Sequence, residues 1–133
     1  MENQRYARGL ALLERIDGAG GAAVLRELKD IAPDFARYLV EFPVGDIYCR
    51  PGLDLKSREL VTVAALTALG NARPQLLVHL AAALRVGCTR AELVETCMQM
   101  AVYAGFPAAL NGLFAAREVF AVQGASGEAG QTS

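Results

Sequence analysis

Arg73-Pro74-Gln75-Leu76-Leu77-Val78-His79-Leu80-Ala81-Ala82-Ala83-Leu84 is the stretch whose reading decides the fold. Pro74 suits the first turn of a helix, where a missing N–H goes unused. Gly87 lies just past the end of the run, where a left-handed cap belongs. Between them leucine and alanine cover most of the helical circumference, and no period-two alternation competes. A helix that is apolar nearly all round is buried on several sides. The run therefore predicts an all-α protein in which this helix is central or covered by another subunit. Its polar intrusion past the first turn is His79, the only histidine in the chain.

The flanking sequence extends the same pattern in both directions. Upstream, Arg50-Pro51-Gly52-Leu53-Asp54 reads as a turn ending in an N-cap, Asp54, for a helix over about 55–69 closed by Gly70. That helix is also apolar around most of its surface. Downstream, Thr89-Arg90-Ala91-Glu92 is a capping box, since the Thr and Glu side chains can satisfy each other's backbone amides. The helix it opens runs to about Tyr103. Gly105-Phe106-Pro107 turns a tight corner into a last helix reaching about Gln123.

Toward the N-terminus, residues 4–16 carry Tyr6, Leu10, Leu13 and Ile16 on one stripe. Gly18-Ala19-Gly20-Gly21 is expected to break the chain before a short helix over about 22–31. Pro33 opens a further segment to about Ile47, which Pro43 and Gly45 should bend or end early. The expectation is one helical domain over 1–123, a bundle of about six to seven helices. A glycine-rich polar tail over 124–133 is expected to stay disordered.

With 133 residues the chain can bury a core of its own. Thirteen basic residues stand against 14 acidic ones and are scattered singly, which argues against a nucleic-acid partner. No apolar run approaches the roughly 20 residues a membrane span requires. The longest, Leu60 to Gly70, is interrupted by Thr62 and Thr67, so no membrane association is expected. The N-terminal residues lead directly into an amphipathic pattern rather than a signal peptide. Cys49, Cys88 and Cys97 are odd in number and lack metal-ligand spacing, which fits reduced thiols in the cytoplasm. Apolar residues reach 53%, mostly through alanine, and this surplus is expected to be hidden in an oligomer interface.

Imidazole, with an unperturbed pKa of roughly 6.5, is the side chain that trades protons near neutrality. His79 is therefore a candidate acid or base, the alternative being a core histidine satisfied by one hydrogen bond. Glu59 stands among apolar residues on the preceding helix, where an isolated buried charge would be very costly. It is either a first-turn carboxylate favoured by the helix N-terminus or the partner of His79 in an acid–base pair. Arg50 could aim a bidentate fork at a substrate carboxylate, and Tyr103 could line a pocket. For Arg50, Arg58 and Arg73 a solvated surface charge is the commoner reading. One histidine cannot build a multi-histidine metal site, and no glycine-rich phosphate loop follows a strand.

Three blocks of residues carry a resemblance. Gly45-Asp46-Ile47-Tyr48 with Arg50-Pro51-Gly52-Leu53-Asp54 and Arg58-Glu59-Leu60 form the first. His79, Ala83-Leu84, Gly87, Glu92-Leu93 and Glu95 form the second, and Tyr103-Ala104-Gly105-Phe106-Pro107-Ala108-Ala109 the third. Together they resemble the carboxymuconolactone decarboxylase family over about residues 5–121.

The resemblance implies an all-α fold shared with alkylhydroperoxidase D-like proteins, assembled as a homotrimer or homohexamer. Peroxidases of that fold carry a Cys-x-x-Cys pair seven and four residues before the motif histidine. Here those positions are Ala72 and Gln75, so the thiol reaction lacks both its nucleophile and its resolving partner. The implied activity is cofactor-independent and metal-free decarboxylation of 4-carboxymuconolactone, or a related carboxylated lactone, in aromatic catabolism. His79 and Glu59 would be catalytic, and Arg50 and Tyr103 would bind substrate. The alternatives are a family member acting on another small carboxylated substrate, a non-catalytic oligomeric ligand-binding protein, and a redox protein using one of the three cysteines.

Overall fold

The computed structural model describes residues 3–125, which divide between Leu55 and Lys56 into two compact units. Every described element is helical.

In the first unit, α1 spans Gln4–Asp17, α2 Ala19–Leu28 and α3 Pro33–Leu39, and α3 runs on without a break into a π-helical segment, Val40–Tyr48. The side-chain oxygen of Asn3 accepts from the Arg5 and Tyr6 amides and so caps α1. Gly9 is buried where α1 crosses the π segment. A Cβ there would run into the Val40 carbonyl, and one at Gly45 would come within 2.5 Å of the Arg5 carbonyl. Two glycines thus let one helical backbone lie directly on the other. Polar contacts lock the same crossing. Arg5 donates to Asp46 at 2.7 Å, and Arg8 donates from Nε to the Gly45 carbonyl at 2.9 Å. Glu41, 2% exposed, accepts from the Asn3 amide and from Arg37 at 3.4 Å, with Arg5 at 3.8 Å.

Two expectations change here. Only Gly18, at φ 61°, breaks the chain, and α2 starts at Ala19 and stops at Leu28 rather than near residue 31. Gly20 and Gly21 lie inside the helix. Gly21 is buried, and a Cβ there would meet the Leu13 side chain at 2.7 Å, so this glycine serves α1–α2 packing. Pro43, expected to bend or end its helix, instead sits within the π segment. A proline cannot join the ladder of bonds to the fourth preceding carbonyl. The chain widens to bonds reaching the fifth instead, as in Cys49 N–H to Val44 O at 3.2 Å. The Glu41 and Asp46 anchors then hold the wider winding against α1.

The second unit holds α4 (Leu55–Leu69, starting at the division), α5 (Arg73–Arg85), α6 (Arg90–Ala104) and α7 (Phe106–Ala125). The predicted boundaries recur closely. Thr89 and Glu92 form both capping-box bonds, at 3.0 and 2.8 Å. Gly105 adopts φ 94°, a left-handed conformation that a side chain would strain, and turns the chain from α6 into α7. Val63, Leu76, Leu80, Ala83, Leu93, Cys97, Ala115 and Ala116 make a continuous core from all four helices. Each fully buried Leu or Val contributes about 1.5–3 kcal/mol relative to exposure.

α4 is apolar on opposite faces. Val63 and Thr67 point inward, whereas Val61 and Leu69 are 60% and 66% exposed. No helix among the described residues is long and apolar enough to cross a membrane. α7 continues to Ala125, two residues into the expected tail, and the rest of that tail lies outside the described residues.

Candidate active site

Glu59, Val63 and Thr67 recur every fourth residue, and this stripe of α4 is its buried one. Packing of Val63 into the core therefore carries Glu59 inward with it, to complete burial. On α5, Leu76, Leu80 and Ala83 anchor the helix in the same core and surround His79 at spacings of three, one and four residues. The two helices thereby bring together residues far apart in sequence. His79 Nδ1 and Glu59 Oε1 are 2.9 Å apart.

An ionised carboxylate can only accept, so with Glu59 in that form Nδ1 is the donor of this hydrogen bond. That assignment leaves Nε2, on the opposite edge of the ring, as the nitrogen able to act on a ligand. Exposure is asymmetric as well. The Glu59 side chain is sealed at 0%, while that of His79 is 29% exposed. A buried carboxylate behind an accessible imidazole fixes ring orientation and stabilises the ring when it takes up a second proton. Such a pair can deliver a proton to a bound molecule or remove one.

The other sequence candidates are exposed. Tyr103, near the end of α6, is 78% exposed and makes no hydrogen bond to His79 or Glu59. Arg50 belongs to the first unit, exposed on the turn after the π segment, with its amide donating to the Ile47 carbonyl at 3.1 Å. Arg73 pairs with Glu118 at 2.7 Å and ties α5 to α7.

The thiols are packed groups. Cys97 Sγ lies 3.8 Å from Thr67 Oγ1, Cys88 donates to the Lys56 carbonyl and Cys49 to that of Arg8. Burial pushes the Cys97 thiol up, away from the thiolate that nucleophilic or redox chemistry needs. Among the described residues no group of three His, Cys, Asp or Glu side chains comes together as metal ligands. Sequence reasoning passed over one buried carboxylate, Glu41, whose available signal was Arg37 one helical turn earlier. Its role is to hold α1 to the π segment.

Residues 33–118 match the sequence profile of the carboxymuconolactone decarboxylase family. A 4-carboxymuconolactone decarboxylase of Acinetobacter baylyi is 37% identical over 120 residues, covering 90% of this chain and 89% of that protein. A protein of Paracoccus denitrificans, described as an uncharacterized 15.0 kDa protein in the nqo9-nqo10 intergenic region, is 36% identical over 98 residues, 73% of each chain. A nitrosuccinic acid decarboxylase of Metarhizium robertsii is 31% identical over 103 residues, 74% of this chain and 71% of that protein.

Proposed function

The chain belongs to the carboxymuconolactone decarboxylase family, and from that premise we propose that it is a cofactor-independent carboxy-lyase whose substrate is 4-carboxymuconolactone. The observation that carries this reading is the 2.9 Å contact between His79 and the fully buried Glu59. Loss of carbon dioxide from the ring carbon sends its bonding pair through the conjugated double bond into the lactone carbonyl. The resulting dienolate needs its oxygen stabilised and a proton delivered to the carbon beside the carbonyl. His79, doubly protonated and held by Glu59, supplies that proton from Nε2. Glu59 is the positioning partner. Arg50 and Tyr103 are the proposed substrate-binding residues, Arg50 as a fork for a substrate carboxylate. Self-association into a trimer or hexamer is part of the same reading, supported by the apolar residues left exposed on α4 and α7.

Carbon dioxide release from pure protein and the lactone tests it. His79→Ala and Glu59→Gln should each slow turnover by about 10²–10⁴-fold with the helical circular dichroism spectrum retained. Wild-type rates in both folded variants would remove the assignment. A second reading draws on the relative named nitrosuccinic acid decarboxylase. A nitro group can take the electron pair that a lactone carbonyl takes, and the protonation step is unchanged. Parallel assays with nitrosuccinate and the lactone decide between the two by the ratio of kcat/KM.

A further inference from the structure

The geometry of the His79–Glu59 pair points to a second activity: we infer that the protein reversibly exchanges with solvent one of the α-hydrogens of its own decarboxylated product. The inference rests on the proposed decarboxylase reading and extends it to the state that follows carbon dioxide loss. Once Nε2 has given up its proton, His79 is a neutral imidazole whose Nδ1–H still donates to Glu59 Oε1 at 2.9 Å. Its Nε2 lone pair then faces the C–H bond just formed. An acid in the forward step is, by microscopic reversibility, a base toward that same hydrogen.

The exchange step balances without any co-reactant. Nε2 takes the α-hydrogen as a proton, and the C–H bonding pair moves into the lactone carbonyl to regenerate the dienolate and an imidazolium. The imidazolium then either returns the same proton or first trades it with water. Partial exposure is what permits the trade, because the His79 side chain is 29% accessible while the carboxylate behind it is sealed. A histidine as buried as Glu59 would return its own proton each time. The carboxylate makes imidazolium formation favourable at the moment the ring acts as a base. Only the hydrogen on the side facing His79 is reached, so its geminal partner should remain.

The test incubates the isolated enol-lactone product with enzyme in D₂O and follows both α-hydrogens by proton NMR against an enzyme-free control. The expected result is loss of a single α-hydrogen signal, at the position that becomes deuterated when decarboxylation itself is run in D₂O. His79→Ala should slow this exchange by at least about 100-fold. Normal decarboxylation with no exchange beyond the control would overturn the inference and leave the decarboxylase reading standing. Exchange undiminished in His79→Ala, or equal at both hydrogens, would also overturn it, by assigning the base elsewhere. Absence of decarboxylation and exchange alike would overturn the reading on which the inference rests.

Discussion

Glu59 presents one carboxylate oxygen to His79, and its other oxygen is equally buried with no hydrogen-bond partner among the described residues. A buried polar atom left in that state costs about 1–3 kcal/mol, a cost consistent with a catalytic use for the charge. The pairing was open to inference from sequence because one acid and one imidazole stand out on adjacent apolar helices. The direction of Glu59 was not, since a helix apolar on both faces offers no unique inward side. Cys97 is a contrasting case, a buried polarisable group packed in the core beside Thr67. Burial raises its folded value, so the protonated thiol's contribution to stability is complete below the unfolded thiol value of about 8.5. It is lost as pH rises from there through the folded value. Iodoacetamide at pH 8 should therefore modify half-buried Cys49 and leave Cys97 intact until denaturant is added. Mass spectrometry showing rapid labelling of Cys97 in folded protein would contradict this.

Elements that were legible in sequence carry their own punctuation. The Thr89–Glu92 box, the glycines at positions 70, 87 and 105, and the prolines at 33, 74 and 107 mark helix ends by local chemistry alone, and the ends fall there. The π segment was not legible in that way. Pro43 and Gly45 carry the local signal of a helix terminus, and what overrides it is long-range. Asn3, Arg5 and Arg8 reach from α1 to Glu41, Gly45 and Asp46. Gly9→Ala should show how tightly that crossing is built, because its methyl group meets backbone and not a movable side chain. A loss of about 1–3 kcal/mol is expected, read as a lower urea midpoint; an unchanged midpoint would mean the crossing can open at little cost.

The same crossing should be acid-sensitive. The Arg5 hydrogen bond holds the Asp46 carboxyl below its ordinary value. A lowered carboxylate contributes stability above the unfolded value of about 3.9, and that contribution is lost as pH falls through the folded one. Asp46→Asn should thus flatten the decline of melting temperature between about pH 5 and 3 relative to wild type.

Across the whole molecule, the apolar surplus in the composition reappears as a specific surface. Phe106, Leu110 and Phe114, one turn apart on α7, are 73%, 43% and 48% exposed, and Val102 on α6 is 74% exposed. Scattered apolar side chains are normal on a monomer, whereas a contiguous apolar patch is a candidate contact surface, and this stripe is the one we propose for self-association. Light scattering at micromolar concentration should return three or six times the 14.1 kDa chain mass. Leu110→Glu should lower it, and a monomer in the wild type would contradict the assembly. An apolar surplus at the surface was foreseeable from composition, but not which helices carry it, because alanine-rich helices look alike on every side until one face is packed.

The solitary imidazole has a practical consequence. Because the chain contains a single histidine and the structure seats it against a carboxylate, ¹⁵N-labelled protein offers one set of ring-nitrogen resonances that requires no assignment. Tautomer, proton occupancy and ligand arrival at that ring can be followed spectroscopically without introducing any label of foreign shape.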